Sequence, residues 1–429
     1  MCRRDASRLV ILLFSMVLFV LCYSTKSIYK EYSYSVINDI SIVSLRIGVI
    51  GLLLLTMEVL FSNKIYKGVR YCFWHMYVKH SLERQMIDAG MYIQRGEYIE
   101  VPRIRIEFDK NMRGGTLKVE NSIKFDKKLD DVVLTSALKK FVVERHYLTD
   151  DGNYYVYEFL DGSISFKLDF KSIEDFREYN SQIPLYKIFL DKRSVVNLQH
   201  TLIVGVTGSG KTYCLYNILL QFVNKRKPYV IYFADPKGSS LAVLGNKIAP
   251  DKTAVDMADI IDKLEEFVLA MQNRKKEIAE LLRGKLDADY STFRKTPYIF
   301  CFDEYASFVS VLANEDKKTR DKVNALMSEV ILQGRQLGFF MLIIMQKSDA
   351  NLISTSLRDN IPLKLVLGNS EQQTYVTAFG TGIDVPNRHY KVGEGVFTEP
   401  VIAPTPKIVQ CPSLKFDILK SFKMATPVM

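Results

Sequence analysis

The octet Gly205-Val206-Thr207-Gly208-Ser209-Gly210-Lys211-Thr212 constrains the fold of this chain more than any other stretch. It fits the pattern G-x-x-x-x-G-K-[ST]. An apolar run, Leu202-Ile203-Val204, precedes it, and residues 213–222 follow with apolar side chains at helical spacing and no Pro or Gly. A buried strand that breaks at a glycine-rich loop and resumes as a helix is the setting in which this motif cradles phosphate. The glycines turn backbone N–H groups inward, and the helix N-terminus adds partial positive charge at the same point. The octet is therefore expected to bind a nucleoside triphosphate, with Lys211 reaching the β- and γ-phosphates and the Thr212 hydroxyl ligating Mg²⁺.

A second stretch completes the chemistry. The apolar residues Tyr298-Ile299-Phe300-Cys301-Phe302 lead into Asp303-Glu304. Asp303 is expected at the nucleotide, in the Mg²⁺ shell. Glu304 is positioned to orient and deprotonate the attacking water as a general base. Such an acidic pair is common after strands and says little alone, but beside the octet it predicts hydrolysis and not mere binding.

The surrounding pattern alternates strand and helix. Tyr229-Val230-Ile231-Tyr232-Phe233-Ala234 reads as a strand buried on both faces and ends in Asp235-Pro236-Lys237-Gly238. Residues 339–345 form a fourth strand ending at Gln346, a polar tip placed to sense the γ-phosphate, and residues 363–367 form a fifth. Residues 257–283 and 316–337 read as helices. The first is basic near its middle (Arg274, Lys275, Lys276), as a solvated face is, with nucleic-acid contact as the alternative. This alternation predicts an α/β fold with a mostly parallel sheet, its ligand at the carboxyl ends of the strands. After Pro404 only a short tail is expected.

The N-terminal part has a different character. Residues 9–24 are uncharged and almost wholly apolar, and residues 40–61 contain the charge-free run 47–57 bracketed by Arg46 and Glu58. Both are expected to be membrane helices. A cleaved signal peptide competes for the first, but no small-x-small site follows it. A buried soluble helix competes for the second. Arg3, Arg4 and Arg8 precede the first segment, and Lys64, Lys67, Arg70, Lys79 and Arg84 follow the second. By the positive-inside rule both termini are cytoplasmic, with a short outer loop at residues 25–39. The phosphate-binding octet then lies on the side where ATP is.

Residues 68–89 read as a helix leaving the membrane, aromatic on one side. Residues 97–175 alternate as half-buried strands at Ile104-Arg105-Ile106-Glu107-Phe108, Leu117-Lys118-Val119, 154–159 and 163–170. Gly114-Gly115, Asp151-Gly152 and Asp161-Gly162 are read as turns, and residues 129–142 as a helix. This is a small α+β module without a catalytic constellation. A chain of 429 residues is too long for one ordinary core. Its six cysteines are scattered, with no C-x-x-C pair, as in a reduced cytoplasmic protein. A formal charge of +10 suits a polyanionic partner or an anionic membrane face.

The nucleotide-binding part resembles the FtsK/SpoIIIE family of DNA-pumping motors over residues 183–410. The likeness rests on Ile183-Pro184-Leu185 ahead of GVTGSGKT, on Asp235-Pro236-Lys237, and on Gln333-Gly334-Arg335-Gln336-Leu337-Gly338 with the strand that ends at Gln346-Lys347. Asn360-Ile361-Pro362 and the turn Gly393-Glu394-Gly395 extend it. The resemblance implies a RecA/FtsK-like P-loop NTPase. Where the family carries Arg, this chain has Lys347 and Lys364, which leaves Arg335 and Arg358 as candidates for an arginine acting in trans. Two spans, no long linker and no space for a C-terminal winged helix make the chain similar to the TcpA-like coupling proteins of Gram-positive conjugative elements. That likeness implies a bacterial membrane protein forming a ring, as a hexamer. It would pass a relaxase-bound, single-stranded DNA into a type IV secretion channel. Partners would then be the relaxase, channel proteins, the membrane and copies of itself. Export of protein, as in type VII secretion, and an ATP-switched docking scaffold are the competing functions. The expected domains are a membrane anchor (1–64), a juxtamembrane helix with the α+β module (65–178), the motor (179–410) and a tail (411–429).

Overall fold

The computed structural model describes residues 3–32, 35–96, 98–122, 134–282, 288–346, 353–381, 383, 385–386 and 388–422. They divide into two compact units, Met1–Ile164 and Ser165–Met429.

In the first unit, α1 (Arg3–Tyr32) and α2 (Ser35–Ser62) form an antiparallel pair. Small residues set their approach. The Ser41 hydroxyl donates to the Cys22 carbonyl at 2.9 Å, and a Cβ on Gly51 would lie 2.8 Å from Ser15 Oγ. Segments Val10–Ile28 and Asp39–Ser62 are long and apolar enough to cross a membrane, and most of their large apolar side chains are exposed. Such a surface is costly in water and suits lipid. The helices run on to Tyr32 and resume at Ser35, so most of the connection expected at 25–39 is helical.

Helix α3 (Val69–Asp88) follows and buries Tyr71, Val78, Leu82 and Met86 in the core of the small module. The module begins with a hairpin of β1 (Ile93–Arg95) and β2 (Tyr98–Glu100). Its main sheet has the order β3-β4-β6-β5, all antiparallel: β3 (Ile104–Phe108), β4 (Gly114–Glu120), β5 (Phe141–Leu148) and β6 (Tyr154–Asp161). Three expectations change here. Gly114 and Gly115 are not a turn but lie in β4, where a Cβ on Gly115 would stand 2.1 Å from the Glu107 carbonyl. The expected helix at 129–142 shrinks to α4 (Thr135–Leu138), with 129–133 outside the described residues, and Phe141 opens β5 against Asp161. The expected strand at 163–170 is reduced to β7 (Asp169–Phe170), because the Phe166 N–H is taken by the Gln410 side chain instead of a ladder partner.

The second unit is built on an eight-stranded sheet. Before it come β7, α5 (Ile173–Ser181), β8 (Lys187–Phe189) and β9 (Val195–Asn197). A capping box from Ser172 and Asp175 starts α5. The sheet strands and their connections are β10 (Thr201–Gly205), α6 (Lys211–Val223), β11 (Val230–Ala234), α7 (Ser240–Ile248), β12 (Thr253–Ala254), α8 (Met257–Leu282), β13 (Tyr298–Phe302), α9 (Tyr305–Leu312), α10 (Lys317–Leu337), β14 (Phe339–Met345), α11 (Thr355–Asp359), β15 (Leu363–Leu367), α12 (Gln372–Phe379), β16 (Glu394–Glu399) and β17 (Ala403–Gln410). The order is β12-β11-β13-β14-β10-β15-β16-β17, six parallel strands continued by two antiparallel ones. Every residue of β10 and β14 is buried, as the central strands of a sheet covered on both faces must be.

Residues 405–422 are not the short tail expected after Pro404. Pro404 lies inside β17, β18 (Ser413–Leu414) pairs with β7, and α13 (Ile418–Ser421) follows with Asp417 as its cap. The unit also starts earlier than residue 179, since Phe170 and Phe176 pack on Phe189 in its core. Arg274, expected on a solvated face, is half-buried: its guanidinium lies 4.8 Å from the Tyr298 ring and 4.9 Å from Phe339, and donates to the Thr296 carbonyl at 2.7 Å.

Candidate nucleotide site

Strand β10 ends at Gly205 and the chain turns through Val206–Ser209 into α6. Gly208 (φ +81°) and Gly210 (φ +99°) take the left-handed conformation that reverses the backbone. Gly205 also needs its bare Cα, since a Cβ would meet the Leu367 carbonyl at 2.5 Å and Ser209 Oγ at 2.7 Å. Val206, Thr207, Gly208 and Thr212 are exposed, and Lys211 is half-buried. The Lys211 ammonium folds back to donate to the Gly205 and Val206 carbonyls. Burial lowers its pKa, opposed by the charges of Glu304 and Asp303.

Strand β14 lies between β10 and β13, so the tips of three neighbouring strands carry the octet, Gln346 and Asp303-Glu304 in sequence across the sheet. Gln346 is exposed at its tip. Asp303 accepts from the Glu304 N–H at 3.0 Å. Burial, then the nearby Asp235 charge, pushes its carboxyl up to about 6. Asp235, at the tip of β11, is itself buried, and its carboxylate accepts from the Ser239 N–H and hydroxyl and the Ala242 N–H, at the start of α7. Glu304 sits at φ +49°, a left-handed backbone unusual outside glycine. Lys237 from the Asp-Pro-Lys turn lies 3.5 Å from the Glu304 carboxylate.

The residues fit ATP with Mg²⁺. The octet presents glycine-turned backbone and a helix N-terminus, and the Ser209 hydroxyl is buried there without a hydrogen-bond partner. Among the described residues no three His, Cys, Asp or Glu side chains form a metal cluster of their own. A donor set of one hydroxyl, Thr212, and one half-buried carboxylate, Asp303, suits an ion that takes its other ligands from phosphates and water.

The sequence reading held the turn at Gly393-Glu394-Gly395 and the Asp-Pro-Lys motif, but not the contacts they make at the site. The Gly393 N–H donates to the Ser209 carbonyl at 2.8 Å, which packs a C-terminal turn against the octet. Glu394 in that turn is buried and accepts from the Lys391 N–H, Arg388 and Gln410. Lys237 was visible as part of the Asp-Pro-Lys motif, but its pairing with Glu304 depends on β11 and β13 being neighbours.

Arg335 and Arg358 are not brought to this site. Arg335 ends α10 ahead of β14, and Arg358 lies in α11 ahead of β15, both at the amino ends of strands whose carboxyl ends carry the octet's level of the sheet. Lys347 lies outside the described residues. Lys364 is within β15, where burial lowers its pKa.

The sequence profile of the FtsK/SpoIIIE family matches residues 182–361. This stretch is an FtsK/SpoIIIE domain. The family is one of ATPases, and the matched residues include the octet, Asp303-Glu304 and Gln346. The FtsK domain-containing protein YdcQ of Bacillus subtilis is 31% identical over 229 residues, 51% of this chain and 45% of that protein. The DNA translocase SftA of the same organism is 25% identical over 210 residues, 46% of this chain and 21% of that protein. The chain thus aligns with less than half of the length of these relatives. Among solved structures, the pCW3 conjugation coupling protein TcpA, a monomer form with ATPγS, has a TM-score of 0.49 at 17% identity, covering 80% of this chain and 96% of that one. EssC ATPases 2 and 3 of Geobacillus thermodenitrificans have a TM-score of 0.42 at 18% identity, covering 54% and 44%.

Proposed function

We propose that the protein is a membrane-anchored, ATP-driven DNA translocase, acting as the coupling protein of conjugative transfer. The observation that carries this reading is the convergence of the octet, Gln346 and Asp303-Glu304 on adjacent strand tips of an FtsK/SpoIIIE domain. DNA is the cargo suggested by relatives such as SftA, and the charge of +10 suits phosphate contacts. In this reading α1 and α2 anchor the chain in the cell membrane with both termini in the cytoplasm. The small module serves as a docking or assembly unit, and copies of the chain form a hexameric ring around relaxase-bound, single-stranded DNA bound for a secretion channel.

ATP with Mg²⁺ supplies the phosphoanhydride whose cleavage drives the cycle. Backbone N–H groups from Val206 to Thr212 and the Lys211 ammonium hold the phosphates. Thr212 and Asp303 would hold the metal. Glu304 orients the water and takes its proton, with Lys237 steadying the carboxylate. Gln346, between the two motifs, responds to the γ-phosphate. Arg335 or Arg358 reaches the site of a neighbouring subunit.

The test is ATP turnover by the full chain with single- and double-stranded DNA at low and moderate salt. Salt-sensitive stimulation by DNA is expected. Turnover indifferent to both DNA forms, in assembled protein, would contradict the reading and favour protein export or docking.

A further inference from the structure

Helix α3 is amphipathic twice over. One face packs into the core of the small module through Tyr71, Val78, Leu82 and Met86. The other carries Val69, Phe73, Met76 and Tyr77, exposed by 77%, 55%, 44% and 43%, within one arc of the helix. Further along, the same arc turns polar, with His80 and Arg84 exposed. An apolar stripe that gives way to basic residues along the helix is the pattern of a segment crossing from lipid towards water.

The position of the stripe agrees with that. The second apolar segment ends at Ser62, and Asn63 next to it is bonded to His75 two turns into α3, its Oδ1 3.1 Å from His75 Nδ1. The helix therefore does not carry residues 69–77 away from the end of the span but holds them beside it. Phe73 and Tyr77 stack with ring centroids 6.1 Å apart, a preformed aromatic pair at that level. Lys67 and Arg70 flank the stripe, on the side where acidic headgroups attract cations.

We infer that the first half of α3 is an interfacial membrane helix, with Val69, Phe73, Met76 and Tyr77 seated at the headgroup–acyl boundary and Lys67 and Arg70 on the phosphates of anionic lipid. The inference rests on α1 and α2 spanning the bilayer. It makes the small module a body docked on the membrane face instead of one tethered below it.

Trp74, the only tryptophan of the chain, is half-buried at the rim of the stripe, edge-on to Phe73 and Tyr77 on one side and to Phe141 of the module on the other, which leaves it within short-range quenching distance of lipid seated on the stripe. The full chain is reconstituted into vesicles of phosphatidylcholine with phosphatidylglycerol, some lipids being brominated just below the headgroup. Resistance to alkaline carbonate reads the spans, and Trp74 emission reads the helix. Retention with strong quenching by the brominated lipid is expected. The double variant Phe73→Ser/Tyr77→Ser should stay carbonate-resistant and lose most of the quenching. Lys67→Gln/Arg70→Gln should weaken quenching in vesicles with phosphatidylglycerol and leave it unchanged in pure phosphatidylcholine. Retained protein whose Trp74 is unquenched, or quenched only by aqueous iodide, would overturn the interfacial helix alone. Release by carbonate would overturn the spans and the helix with them.

Discussion

The Gly393 N–H and the Ser209 carbonyl, 2.8 Å apart, fasten the C-terminal turn to the phosphate-binding loop. A Cβ on Gly210 would lie 2.6 Å from the Gly393 nitrogen, so the contact leaves no space for a side chain. Gly210→Ala should therefore suffer twice, from left-handed strain of about 1–2 kcal/mol and from a clash with backbone that cannot rotate away. Gly208→Ala meets nothing within 4 Å and should suffer the strain alone. Titration with a fluorescent ATP analogue should show Gly210→Ala binding about tenfold more weakly than Gly208→Ala, a difference of about 1.4 kcal/mol. Equal losses would remove the turn from any role in shaping the loop.

Binding and turnover should separate at the two charged residues. Lys211→Ala is expected to lose ATP binding. Glu304→Gln should bind ATP normally and lose about 10²–10⁴ in turnover, the usual contribution of a general base. A Glu304→Gln enzyme with near-normal turnover would reassign the proton acceptor.

How much of this was legible in the sequence follows from range. The octet, the strand before Asp303 and the buried run 339–345 are local patterns, and each stands where it was read. The two antiparallel strands β16 and β17 were not read, because Pro404 and Pro406 in β17 suggest a loop and only pairing with β16 contradicts them. Gly114-Gly115 misled for a similar reason. Glycine marks turns, but here it serves the close approach of β3 and β4. Phe141–Leu148 was partly taken as helix because its register against β6 is set by partners far along the chain. At the site, residue types were readable, Gly393 and Lys237 included, while the contacts of those two with Ser209 and Glu304 were not, because they depend on strands far apart in the chain.

Acid should weaken the second unit through His200. This imidazole is buried and accepts from the Met341 N–H at 3.0 Å through Nδ1, so it is held neutral. Burial, helped by the Arg335 charge, lowers its pKa to about 3 from an ordinary 6.5. Between these values the unfolded chain takes a proton that the folded one refuses. The contribution is thus complete above pH 6.5 and is lost as pH falls towards 3, by up to about 1.4 kcal/mol per pH unit. Denaturant unfolding of the second unit at pH 7.5 and 5 should show the loss, and His200→Gln should flatten the slope. An unchanged slope would place the acid sensitivity elsewhere.

Phe267 is fully buried among Tyr232, Phe300 and Phe339, with ring centroids 5.1–5.4 Å away. Phe267→Ala should destabilise the second unit by about 3–5 kcal/mol. Thermal unfolding checks this, and a loss below about 1 kcal/mol would mean that α8 repacks freely over the sheet.

The most direct test of the account is movement along DNA. The full chain, reconstituted in vesicles and supplied with ATP and Mg²⁺, is mixed with single- or double-stranded DNA carrying streptavidin on a terminal biotin. The account predicts ATP-dependent displacement of streptavidin, preferentially from single strands, abolished by Lys211→Ala and by Glu304→Gln. ATP hydrolysis at full rate without displacement from either form would contradict it.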